Sequence, residues 1–189
     1  MSDQPSIVLI AGSPSANSRS ARLLGELQKR LETHQLATSS YSLSDFDARE
    51  LLFGNAAEPK LAAFIASVRE ASAVVFATPV YKATYTGGLK LLIDVIPPDA
   101  LAGKAALAVA TGRLESHFQS VARAFDDLYR FFGIGTPVPL LALLDGKLKT
   151  DGPELGLEPD AEEAVRAAVA ALRTAVTEKG RPAAALPLG

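Results

Sequence analysis

The sequence predicts an α/β protein of three layers, a five-stranded parallel sheet covered by helices on both faces. Short apolar runs alternate with segments of helical period from one end of the chain to the other. The runs Ile7-Val8-Leu9-Ile10-Ala11 and Ala73-Val74-Val75-Phe76-Ala77 are apolar without alternation, as strands buried on both faces are. Polar loops rich in Gly, Ser and Thr open where these two runs end. Right-handed crossovers leave few arrangements of five strands, and 2-1-3-4-5 is the common one.

The first strand is expected at 6–11, followed by a helix at 19–33 with Leu24, Leu27 and Leu31 at helical spacing. A weaker strand at 38–43 contains Tyr41, and LSDFDARELLFGN after it reads as a loop. Leu61, Phe64, Ile65 and Val68 stand at i, i+3, i+4 and i+7 in a helix of 59–70. The third strand spans 73–78. A helix at 87–96 places Leu89, Leu92, Ile93 and Ile96 on one side. The fourth strand runs from Ala105 to Ala110 and ends at Thr111-Gly112-Arg113.

The helix expected at 115–132 carries Phe118, Val121, Ala122, Phe125, Leu128, Tyr129 and Phe132. That stripe is wide for one sheet face, and surplus aromatic surface marks a contact. A fifth strand at 136–144 ends in an Asp145-Gly146 turn. The polar loop KLKTDGPELGLEPD then leads to an Ala-rich helix at 160–178. One domain over residues 1–180 is expected, and the tail RPAAALPLG at 181–189 is expected to be disordered or loosely attached.

Composition removes several function classes. At 189 residues, 48% hydrophobic and 21% charged, the chain has the makeup of one globular domain. A net charge of −2 gives no electrostatic case for nucleic acid or anionic membrane. With Cys 0, disulfides, thiolate metal sites and Cys nucleophiles are out. His34 and His117 alone cannot build a multi-histidine metal site. The N-terminus has no basic n-region, and no apolar stretch reaches the roughly 18 residues of a membrane span, so the cytoplasm is the expected address.

In the expected topology the loops after strands one and three stand side by side at the switch point, where such sheets hold ligands. Gly12-Ser13-Pro14-Ser15-Ala16-Asn17-Ser18-Arg19-Ser20 suits a phosphate. Ser13, Ser18 and Ser20 offer hydroxyls, Arg19 a charged fork, and the following helix its unpaired amides. Ser18 reads equally as the helix cap. The pattern is neither GxxxxGK[ST] nor GxGxxG, which disfavours triphosphate and Rossmann-type dinucleotide readings.

The second loop, ATPVYKATYTGGLK at 77–90, suits a flat ring. Pro79 stops strand pairing and is expected to leave the amides of Val80, Tyr81 and Lys82 facing a ligand edge. Thr111 and Gly112 complete the wall of the crevice. A phosphate site beside a ring site points to flavin mononucleotide, FMN.

GSPSANSRS, ATPVYKATYTGGLKLLIDVIP and LAGKAALAVATG, with the aromatic helix behind them, resemble the NAD(P)H-dependent FMN reductases. The resemblance covers about residues 6 to 145 and looks strongest toward the flavin-supplying partners of two-component alkanesulfonate monooxygenases. It implies a flavodoxin-like fold in which Ser13, Ser18, Arg19 and Ser20 hold the FMN phosphate. Pro79, Val80, Tyr81 and Lys82 would line the ring, and Thr111 and Gly112 would reach its far edge. NADPH or NADH is the implied reductant, with no catalytic side chain and no metal. A homodimer or homotetramer and a transient monooxygenase partner are further implied. In the alkanesulfonate-linked members a residue, often Tyr, is inserted in the helix behind strand four and forms a π-bulge; the matching place here holds Arg123. The alternatives on the same scaffold are an FMN-containing quinone, azo or chromate reductase and a flavodoxin-type electron carrier.

Overall fold

Lateral pairing of the apolar runs satisfies their backbone groups and builds one parallel sheet. A computed structural model describes residues 5–177. The strands are β1 (Ser6–Ala11), β2 (Ala37–Ser42), β3 (Ala73–Pro79), β4 (Ala105–Gly112) and β5 (Thr136–Leu144), in the order β2-β1-β3-β4-β5. Between and after them lie α1 (Arg19–Thr33), α2 (Ala48–Leu52), α3 (Pro59–Glu70), α4 (Gly87–Asp94), α5 (Phe118–Phe132) and α6 (Pro159–Thr177). A two-stranded antiparallel ribbon, β6 (Leu148–Lys149) with β7 (Gly156–Leu157), sits before α6.

Two cores explain why β1 and most of β3 and β4 are apolar on both sides. Side chains alternate across a strand, so each sheet face takes every second residue. Ile7, Leu9, Val75, Leu107 and Val109 pack with Leu23, Leu27 and Leu31 of α1 and Val165, Val169 and Leu172 of α6. Val8, Ile10, Val74 and Phe76 face the other way, against Leu61 and Phe64 of α3, Leu89 and Leu92 of α4, and Phe125 of α5.

Register sets the site. Ala11 pairs with Ala77, Ala77 with Val109, and Pro79 with Thr111, so β1, β3 and β4 finish at nearby levels and their loops meet.

Several elements differ from expectation. The segment after β2 folds into a 3-10 turn, Leu43–Asp45, and the short helix α2, capped by Asp47 through the N–H groups of Arg49 and Glu50. β4 extends two residues further, to Gly112, and α4 ends at Asp94. Glu115–His117 form a 3-10 turn before α5, which then runs as a continuous α-helix. Its broad stripe is largely consumed inside the chain. Phe118, Val121, Phe125, Tyr129 and Phe132 are buried and Leu128 half-buried, whereas Phe131, not counted in the stripe, is 66% exposed. The tail at 181–189 lies outside the described residues. No helix among the described residues is long and apolar enough to cross a membrane.

Candidate functional site

Two loops are tied together at the carboxyl ends of β1 and β3 by buried polar contacts. The Gly12 N–H donates to the Ala77 carbonyl at 2.8 Å, and the Thr86 hydroxyl donates to the Gly12 carbonyl. Thr86 also caps α4, its Oγ1 accepting from the Leu89 N–H at 3.1 Å, while its own N–H donates to Thr78 Oγ1 at 3.0 Å. Thr78 and Thr86 are buried, so these bonds are shielded from competing water. A side chain at Gly12 would put its Cβ 2.3 Å from Leu89 Cβ. Glycine alone lets α4 approach this closely.

The first loop gathers hydroxyl and N–H donors of the kind an anion needs. Ser13 and Ser20 are buried, and Ser18 is half-buried. Ser18 is the N-cap of α1: its Oγ accepts from the Ala21 N–H at 3.1 Å and lies 3.2 Å from Ser20 Oγ. Capping uses an acceptor lone pair and leaves the Ser18 O–H able to donate. Ser13 Oγ accepts from the Ser15 N–H at 3.2 Å. The N–H groups of Ala16, Asn17, Arg19 and Ser20 find no acceptor among the described residues. No acidic residue stands in the first turn of α1 to oppose its positive end. Arg19 is exposed and without a carboxylate partner among the described residues.

The second loop corrects one expectation. Of the three amides expected to be free, two are engaged. The Val80 N–H donates to the Thr111 carbonyl at 2.8 Å, prolonging the β3–β4 pairing by one residue past Pro79. The Tyr81 N–H donates to the Thr84 carbonyl at 3.0 Å and the Thr84 N–H returns to Tyr81 at 3.2 Å. Lys82 (φ 52°) and Ala83 (φ 65°) take up the tight reversal between them, both left-handed. Two consecutive positive φ values are what a two-residue hairpin demands. The N–H groups of Lys82 and Ala83 have no acceptor among the described residues. The hairpin tip therefore offers the donors that Val80 and Tyr81 do not.

Pro79 and Val80 are half-buried, whereas Tyr81 and Lys82 are exposed. Tyr85 packs on Phe125, ring centroids 5.6 Å apart. Thr111 and Gly112 are buried at the end of β4. A Cβ at Gly112 would lie 3.2 Å from Val80 Cβ, so this wall closes tightly on the hairpin.

Sequence reasoning missed Thr86, whose hydroxyl reaches a loop 74 residues away, and Thr78, which accepts from the Thr86 N–H. It also missed a cavity of about 830 Å³ beside the first loop, bordered by Arg19, Arg113, Asp145, Lys147 and Glu158. Its walls come from loops that only the fold brings together. Among the described residues, no group of three or more His, Cys, Asp or Glu could hold a metal ion.

The chain's relatives agree with this architecture. The sequence family described as NADPH-dependent FMN reductase matches residues 5–145. The FMN reductase (NADPH) of Escherichia coli K12 is 36% identical over 115 residues, 61% of this chain and 60% of that protein. The match thus spans about three fifths of that curated relative's length. A crystal structure of an NADH:FMN oxidoreductase in its apo form superposes with a TM-score of 0.82 at 30% identity, covering 90% of this chain and 89% of that one. A flavodoxin from the domain Archaea shares the fold alone, with a TM-score of 0.61 at 12% identity over 92% of this chain and 99% of that one.

Proposed function

Because the chain belongs to the family of NADPH-dependent FMN reductases, we propose that it binds FMN at the mouth of its sheet and reduces it with NADPH or NADH. The observation that carries this reading is the meeting of an anion-receiving loop, 12–20, with a donor-tipped hairpin, 79–86, at the β1/β3 switch point. The donor set fits the group. Three hydroxyls, the guanidinium of Arg19 and several unpaired N–H groups suit a phosphate monoester of nearly two negative charges.

Ser13, Ser18, Arg19 and Ser20 hold that phosphate. Pro79, Val80, Tyr81 and Lys82 line one side of the ring, with Thr111 and Gly112 at its far edge. When bound, FMN supplies the redox chemistry, accepting two electrons and a proton from reduced nicotinamide. The protein needs no side-chain acid or base for this. It contributes fixed donors at Lys82 and Ala83, held in place before the ligand arrives by Thr78 and Thr86.

The proposal extends to assembly as a dimer or tetramer through α4 and α5. An apolar groove of about 350 Å³ between them, bordered by Ile93, Ile96, Leu128 and exposed Phe131, supports it. A transient monooxygenase that takes up the reduced flavin, and a cytoplasmic setting, complete the reading. The test is oxidation of NADPH and of NADH by the full chain with added FMN. Rates orders of magnitude above the protein-free background are expected; rates equal to background with both reductants overturn the proposal.

A further inference from the structure

We infer that the open edge of the sheet, between β5 and α6, is the docking surface for residues 181–189 of the same chain, the segment beyond α6. Two grooves run along that edge, of about 680 Å³ and about 350 Å³. Both are bordered by Ala142 of β5 and Ala164 of α6, so they form one trough. From β5 it takes Val138, Leu141 and Leu143, and from α6 Ala167 and Ala171, which are exposed. Every residue bordering the smaller groove is apolar. The charged residues of the larger one, Glu115, Lys147 and Asp160, stand at the carboxyl end of the sheet, where Lys147 is held by Asp160 at 2.7 Å.

Chemistry, reach and tethering select the occupant. β5 ends the strand order on this side, yet Pro137 and Pro139 have no N–H to give, so a second strand cannot pair along its length. An occupant must pack through side chains. Residues 182–188, PAAALPL, are apolar throughout, and their two prolines favour the extended polyproline II form, which docks in grooves at low ordering cost. From Thr177 at the end of α6 back to Asp160 is about 26 Å, at roughly 1.5 Å per residue. After a turn at Gly180, residues 181–189 span about 28 Å, at roughly 3.1 Å per residue. Because α6 is itself one wall, the segment is tethered beside the trough at an effective concentration of about millimolar, which a separate chain lacks. The trough leads to Lys147, which also borders the cavity beside the first loop, so the docked segment runs toward the mouth of the site.

Because the chain has Cys 0, Gly189→Cys gives a single attachment point for a nitroxide spin label. In nuclear magnetic resonance of the full chain, the amide signals of Ala142, Leu143, Ala161 and Ala164, which border the trough, should lose most of their intensity to the label. Those of Ser39 and Ser40 in β2, at the opposite edge of the sheet, should keep theirs. Adding Leu186→Asp should restore the trough signals, since a charge resists burial among apolar groups. In a mixture of isotope-enriched chain without the label and spin-labelled chain without enrichment, the trough signals should stay intact. No loss at the trough overturns the inference, and so does a loss that Leu186→Asp leaves unchanged. Loss in the mixture overturns it as well, since it makes a second copy the occupant. FMN takes no part in the measurement, so its outcome is independent of the reductase reading.

Discussion

Gly12 and Ala83 make opposite demands on the backbone of the site. At Gly12 a methyl group would sit 2.3 Å from Leu89 Cβ and 2.8 Å from Leu89 Cα, and the Cα cannot step aside without moving α4. Gly12→Ala should cost about 2–3 kcal/mol in urea unfolding, the range for overpacking. Ala83 holds a φ of 65°, a conformation that disfavours any residue with a Cβ. Ala83→Gly should therefore stabilise the chain by about 1 kcal/mol, read from the same unfolding curves. Such strain gathers at functional sites, and here it exposes the Lys82 and Ala83 amides. Arg19 is different again, being exposed and without a carboxylate partner among the described residues. Arg19→Gln should weaken FMN binding by about tenfold in a fluorescence titration and leave the melting temperature unchanged.

Among the elements, α5 shows what sequence pattern conveys and what it hides. Its apolar period was legible, but the partner of that stripe was not, because the same period serves a sheet face and a subunit contact alike. The fold gives most of the stripe to the second core, including Tyr129. Burial holds the Tyr129 phenol far above its usual pKa, and its hydroxyl has no partner among the described residues. Tyr129→Phe removes an unsatisfied polar atom and should raise stability by about 1 kcal/mol in thermal unfolding. The ribbon β6–β7 and the helix α2 were not legible, since pairs of two residues and a helix of five are too short to show a period.

On the opposite face, Arg30 joins α1 to α6 through a bidentate pair with Glu162, at 2.7 and 2.8 Å. Hydrogen bonding to Arg30 holds the Glu162 carboxyl below its ordinary 4.5. A depressed carboxyl contributes stability above its unfolded value and loses it as pH falls through the folded one. Glu162→Gln should thus lower stability near neutrality and flatten its decline below about pH 4.5 in acid titration.

At the scale of the whole molecule, strand order is what makes two unremarkable loops into one site. The continuous apolar runs and their spacing revealed the five strands and 2-1-3-4-5, and with them the neighbours Ser13, Ser18, Arg19 and Ser20 on one side and the 79–82 segment on the other. What remained hidden depends on cross-chain register. Val80 loses its free amide only because Pro79 pairs with Thr111, and the Arg113 cavity exists only because β5 ends beside α1 and the Glu158 segment. The most direct test of the account is a crystal structure of the full chain soaked with FMN. The account predicts the phosphate among the Ser13, Ser18 and Ser20 hydroxyls, with the ring against residues 79–83. An empty mouth, or FMN bound elsewhere on the molecule, would contradict it.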